Sequence, residues 1–242
     1  MSDPQPYLLR FAMTTLKSTI RVWDLPTRIF HWSLVISVVA AFITVKLGGL
    51  WMDWHIRFGL ATLGLIVFRF IWGLIGPRYA RFGSFVRGPR AIADYVRGHT
   101  PHIVGHNPLG SLSVVAVLLV FGFQAFSGLF ANDDIMVEGP LAFLSSRWSD
   151  TLTGLHKLNE RVMIGLVCLH VGAVLWHRFI RREKLIEAMI HGNAQVPLQH
   201  SKVAINAQDT WFVRIAALLL AVLITMGVWW LTTLATAVSY SY

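Results

Sequence analysis

The chain is poor in cysteine and in charge. One cysteine, Cys168, stands in 242 residues. That excludes an internal disulfide and any cysteine-clustered metal or iron–sulfur centre, and Cys168 itself reads as a small apolar packing residue. Charged residues make up only 14% of the sequence against 55% hydrophobic. A soluble domain of ordinary composition is excluded by that balance, and a polytopic membrane protein is expected. Acidic residues are the scarcer sign, 12 against 21 Lys and Arg, for a net charge of +9. In a soluble chain such an excess points to nucleic acid; here the cations sit between apolar runs, where membrane topology accounts for them. Residues 1–28 hold no apolar core ahead of a small-residue cleavage site, so no secretory signal is expected. There is no internal repeat and no low-complexity stretch.

What the sequence does have is five apolar runs of bilayer length. The predicted spans are 27–47, 54–75, 110–130, 151–177 and 211–235. An all-α polytopic bundle follows, with a four-helix core and a fifth, C-terminal membrane helix. The expected organisation is an N-terminal segment over 1–26, a core over 27–177, a connector over 178–210, and the fifth helix with its tail over 211–242. Residues 7–20 carry a weak amphipathic pattern and 89–97 a short surface helix. Fourteen of the 21 Lys and Arg fall in 1–28, 77–109 and 178–210, and two, Lys46 and Arg147, in the loops on the other side. The positive-inside rule then puts the N-terminus in the cytoplasm of a bacterial inner membrane and the C-terminus in the periplasm.

The fourth run carries His156 and His170. Fourteen residues are just under four helical turns, so the two rings share a face about 21 Å apart along the axis. Histidine inside a span is costly without a partner or a task. In the predicted topology His31, near the start of the first span, lies at the depth of His170. His55, at the start of the second, lies at the depth of His156. Two rings from two helices at each of two depths suit a pair of six-coordinate haems. Without a CxxCH motif the haem is b-type. Bis-histidine ligation leaves no open iron position, which favours outer-sphere electron transfer. His177, seven residues after His170 and near the same face, is the competing ligand; His170 is preferred because His177 borders a charged run. Arg69, inside the second span, is a candidate for a haem propionate. Arg57 and Lys157 are further propionate candidates or interface anchors, and Arg161 a propionate candidate or the ion-pair partner of Glu160. Asp24 and Arg28 are helix-end charges or members of a quinone or proton site. His99, His102 and His106 fall in a polar loop.

The motifs RIFHW at 28–32, Trp51, His55 and Gly59 in WMDWHIRFG, HNPLG at 106–110, LHKLNERVMIGLVCLHVGAVLWH at 155–177 and the closing MIHG resemble the bacterial cytochrome b561 and nickel–iron hydrogenase b-type cytochrome subunit family, over residues 20–192. The resemblance implies a four-helix core with two haem b groups held by His31, His55, His156 and His170, agreeing with the pairing by depth. It also implies electron exchange between the quinone pool and a redox partner, a periplasmic c-type cytochrome or an oxidoreductase subunit. The fifth span departs from the minimal four-helix pattern. Anchoring a hydrogenase, oxidising superoxide at the expense of quinone, and a haem-free transporter or sensor are the competing expectations.

Overall fold

The structure, a computed structural model, describes residues 17–99, 105, 107–135, 137–197 and 206–239. Its framework is five long helices: α1 (Leu25–Leu47), α2 (Met52–Ile75), α5 (Pro108–Gly128), α6 (Ser146–Phe179) and α8 (Trp211–Ser239). Three short helices, α3 (Phe82–Phe85), α4 (Pro89–Val96) and α7 (Leu185–His191), lie in the connections. All five long helices are long and apolar enough to cross a membrane. The expected all-α bundle and its five spans are therefore present, and the surface helix expected at 89–97 is α4.

Local sequence sets the helix ends. Asp24 caps α1, accepting from Thr27 N, with Pro26 in the first turn; Asn107 caps α5 ahead of Pro108 in the same way. A proline there gives up an N–H that has no partner in a first turn. Gly48 closes α1 with φ of 64°, and Gly192 closes α7 with φ of 86°, both in the left-handed region open to glycine. With 34 residues, α6 is about 51 Å long, well beyond a hydrocarbon core of about 30 Å. Its first turn, SRWSD, is polar and extends the expected span towards the N-terminus.

The helices pack in a chain: α1 on α2, α2 on α5, α5 on α6. The fifth helix, α8, lies on α2 and touches α1. Gly64 of α2 makes room for it, since a Cβ there would meet Ile224 and Val228 at 3.6 Å. Gly64 is nine residues from His55, two and a half turns at about 3.6 residues each. The fifth helix therefore covers the side of α2 turned away from that histidine. Phe30, Leu34, Ile66, Phe68, Trp72, Leu118 and Phe121 form the packed core. Outside it, side chains such as Ile36, Val39, Leu218, Leu219 and Leu223 are exposed on the helix surfaces, the face that lipid covers.

At one end a two-stranded antiparallel sheet joins β1 (Lys17–Arg21) to β2 (Asn193–Pro197). Residues 17–20 are strand, not the helix expected of 7–20; the rest of that expectation, 7–16, lies outside the described residues. Ile20, Val22, Trp23 and Ala188 pack beneath the sheet. Asp209 ties the same end together. It pairs with Arg21 and with Arg214 and accepts from Leu25 N. The starts of α1 and α8 are thus held by one carboxylate. Burial acts to raise the Asp209 carboxyl, but hydrogen bonds from Arg214 and Leu25 N and the charges of both arginines outweigh it and hold the group below the usual carboxylate range.

Candidate cofactor sites

The four histidines fall at two levels. His31 lies in the second turn of α1, and His170 lies towards the end of α6 that leads to α7 and β2. The two rings are near enough to interact electrostatically. His31 Nδ1 is buried without a hydrogen-bond partner, a state that costs about 1–3 kcal/mol when nothing satisfies the atom. At the other end of the bundle, the His55 and His156 rings stand 6.3 Å apart, centre to centre, at 87° to each other. Two imidazoles on opposite sides of one metal ion, each nitrogen about 2 Å from it, place their ring centres at about that separation.

Hydrogen bonds fix the rings of the second pair. His55 Nδ1 donates to Ala41 O of α1 at 2.8 Å. His156 Nδ1 donates to Gln124 O of α5 at 3.0 Å, with Ser127 Oγ at 3.1 Å sharing the proton. Each ring is thereby set as the Nδ1–H tautomer, with Nε2 left to bind a metal. His156 Nε2 accepts from the Gln124 amide at 3.1 Å; its lone pair serves that amide or an iron, not both. Asn159 Nδ2 holds the amide oxygen of Gln124 at 2.8 Å. Gly128 is the space-maker, because a Cβ there would lie 3.1 Å from His156 Cε1.

These side chains face a gap. Although α6 supplies a histidine to each level, it packs along α5 and makes no comparable packing with α1 or α2, which supply the others. A cavity around His55 and His156 is walled by apolar residues, among them Val38, Leu60, Phe121 and Met163. Paired imidazoles held at Nδ1, apolar walls and a slot between helices fit a flat, mostly apolar macrocycle that binds through its metal, with the Gln124 amide giving up His156 Nε2. Among the described residues no cluster of His, Cys, Asp and Glu offers a separate site for a bare metal ion.

The charged candidates separate. Arg69 is buried at the β-sheet end; it donates to Ala80 O at 3.0 Å, and its guanidinium lies over the Phe82 and Phe85 rings. Arg57 is exposed, over the Trp54 ring. Lys157 is exposed and lines the cavity at His156. Glu160 pairs with Lys46 at 2.7 Å, in place of the ion pair that was one of the two alternatives for Arg161. Asp24 is fully buried and bonded to Thr27 and Trp72, which makes it a cap and a tie between α1 and α2. Arg28 donates to Ile190 O. His177 Nδ1 bonds Glu183 Oε2 at 3.0 Å, Cys168 is exposed on α6, and His99 is exposed; His102 and His106 lie outside the described residues. No sequence signal gave Gln124, Ser127 or Asn159 a role at His156.

Residues 22–192 match the family described as prokaryotic cytochrome b561. The chain belongs to that family. It is a multi-pass bacterial membrane protein, a b-type cytochrome of electron transfer that carries haem b. Among curated proteins it is similar to one from Bradyrhizobium diazoefficiens named probable Ni/Fe-hydrogenase B-type cytochrome subunit, 24% identical over 216 residues, covering 74% of this chain and 87% of the relative. No solved structure matches it. Family membership makes the histidine-lined gap in this cytochrome the place to look for its cofactor.

Proposed function

We propose that this cytochrome holds two haem b groups and carries electrons across the bacterial inner membrane, between the quinone pool and a redox partner. His31 and His170 clasp one iron, His55 and His156 the other. The observation that carries the reading is the His55–His156 pair: rings 6.3 Å apart, both held at Nδ1 by main-chain carbonyls, beside a slot that the helices leave open. Bound there, each haem supplies a one-electron iron couple. The protein fixes the ring orientations and excludes water with apolar walls, and two imidazoles at each level would leave outer-sphere electron transfer as the chemistry such a site supports.

Charge supports the orientation. The β-sheet end gathers the basic connections, with Arg21, Arg28, Arg78, Arg81, Arg178 and Lys184, and faces the cytoplasm; the His55 end faces the periplasm. Lys157 and Arg57 on the periplasmic side, and Arg69 on the cytoplasmic side, are the cations available to propionates. On this reading 27–177 is the haem core, 178–210 closes it at the cytoplasmic end, and the helix from 211 is an addition outside it.

A second reading keeps the haems and changes the partner. The similarity to a protein named as a hydrogenase cytochrome subunit favours an oxidoreductase docked at the periplasmic end in place of a diffusing c-type cytochrome. Co-purification from native membranes separates the two. The haem reading itself is tested by a pyridine haemochrome assay on purified protein. Two haems per chain with low-spin spectra are expected, and one or none refutes the pairing.

A further inference from the structure

We infer that Thr153 and Asn159 are positioning residues of the His55/His156 site: they brace α6 against α5 at the depth and rotation that set the His156 ring square to the His55 ring. This rests on the two-haem reading.

The two residues flank the ligand. Thr153 stands three residues before His156 and Asn159 three after, each about 4.5 Å away along the axis and about 60° round the helix, on opposite sides. Both are tied to α5 or to the chain that leaves it. Thr153 Oγ1 accepts from Asn132 N at 3.0 Å and donates to Ser149 O at 2.7 Å. Asn159 Nδ2 donates to Val120 O at 3.0 Å and to Gln124 Oε1 at 2.8 Å. Between them His156 Nδ1 donates to Gln124 O at 3.0 Å. The three contacts spread over about 9 Å of α6. An amide inside a span is costly unless its hydrogens are taken up, and both hydrogens of Asn159 Nδ2 are.

A brace on both flanks acts against two motions. Sliding α6 along α5 lengthens the Thr153 and Asn159 bonds together. Rolling α6 carries one flank towards α5 and the other away, so one bond or the other stretches. Neither residue uses an iron-binding atom, so the brace persists when the Gln124 amide gives up His156 Nε2. A ring held by one bond at Nδ1 can still pivot about that bond; its plane is fixed only when the helix that bears it is fixed. Here the plane stands at 87° to that of His55. His55 is tied to Ala41 O of α1, and α6 makes no comparable packing with α1 or α2. The angle between the rings therefore depends on how α5 holds α6.

That angle has an electronic signature. Parallel imidazole planes act on one of the two iron d orbitals that share the ferric hole, and split the pair. Crossed planes act on both alike and leave the pair nearly degenerate, which gives a highly anisotropic low-spin signal in electron paramagnetic resonance.

The test is low-temperature electron paramagnetic resonance on the oxidised, haem-loaded protein, with haem count and circular dichroism on the same samples. In the parent, the signal that His55→Ala removes should be of the highly anisotropic kind. Thr153→Val, which keeps the shape and loses the hydroxyl, and Asn159→Leu should lower its largest g value; Thr153→Ser, which keeps the hydroxyl, should show the parent signal. Interhelical hydrogen bonds in membranes are worth a factor of about 3 each. Haem affinity at this site should fall about threefold in Thr153→Val and about tenfold in Asn159→Leu, which loses two such bonds. Thr151→Val is the control: Thr151 Oγ1 donates to Arg147 O of its own helix, and the parent signal is expected. Loss of that haem alone from Thr153→Val or Asn159→Leu, with helicity unchanged, supports the inference as a shifted signal does. Parent signals in both variants, a Thr153→Ser signal matching that of Thr153→Val, an equal shift in Thr151→Val, or a parent signal of the parallel-plane kind overturns the inference while the two-haem reading stands. If Asn159→Leu fails to fold, the Thr153 variants decide alone. A count below two haems per chain in the parent overturns both.

Discussion

Enlarging Gly128 should cost the protein one haem and spare the other. A Cβ at this position would lie 3.1 Å from His156 Cε1 and 3.4 Å from Nδ1. Carbon contacts are optimal at about 3.5–4.0 Å, so alanine forces the imidazole back by about 0.4–0.9 Å. His156 Nδ1 stands 3.0 Å from Gln124 O, and a retreat of that size stretches the bond to the limit of hydrogen bonding, about 3.5 Å. Overpacking of this kind costs about 1–3 kcal/mol. At about 1.4 kcal/mol per decade, Gly128→Ala weakens haem affinity at the His55/His156 level by about 5–150-fold. Gly128→Leu, whose branch cannot be absorbed by a small shift, should leave one haem per chain, still bound by His31 and His170. Pyridine haemochrome on purified protein counts the haems, and circular dichroism checks that the helices persist. Gly165→Leu is the control: it lies on α6 between the two ligands, and a Cβ there meets nothing within 4 Å, so two haems are expected. If Gly128→Leu also binds two haems with unchanged low-spin spectra, His156 does not bind where its ring lies.

Two further outcomes follow from the same contacts. Asp209→Asn should lower the thermal midpoint in detergent at neutral pH, because it removes the carboxylate shared by Arg21, Arg214 and Leu25 N. The Asp209 carboxyl is held below its ordinary value. Its contribution is therefore complete above about pH 3.9, the unfolded value, and disappears as pH falls through the depressed one. The deficit of the variant should be constant from pH 5 to 8 and shrink in acid; a deficit growing on acidification contradicts the clamp. His177→Ala should retain both haems, since His177 is engaged by Glu183 at the end of α6; loss of one haem would make it the ligand in place of His170.

The spans and the histidine levels were readable in the sequence because they depend on short-range regularity. Apolar length gives the helices, and the fourteen-residue interval between His156 and His170 survives any detail of packing. The long-range pairings were not readable. Nothing local marks residues 17–21 as the partner of 193–197, and the weak amphipathic pattern there suggested a helix because an isolated strand has no signature until its neighbour is known. Glu160 has Arg161 beside it in sequence, yet adjacent helical residues point apart, and Lys46 from another helix reaches it instead. The ring-fixing contacts at His55 and His156 were hidden for a further reason. Two of the acceptors, Ala41 O and Gln124 O, are main-chain atoms that every residue possesses, and only the fold decides which carbonyl meets an imidazole. Arg69 was selected for its depth in the span; the Phe82 and Phe85 rings that flank it come from a connection whose path the sequence did not reveal.

The pairing of Lys17 with Pro197 also imposes an order on biosynthesis. At about 5–20 residues per second, β1 leaves the ribosome roughly 9–36 s before β2 exists. Through that interval the strand has an open edge, while α1, α2, α5 and α6 are inserted one after another. The cap over the β-sheet end is therefore a late event, and a nascent chain stalled before residue 193 carries the histidine helices without the cover that closes over them.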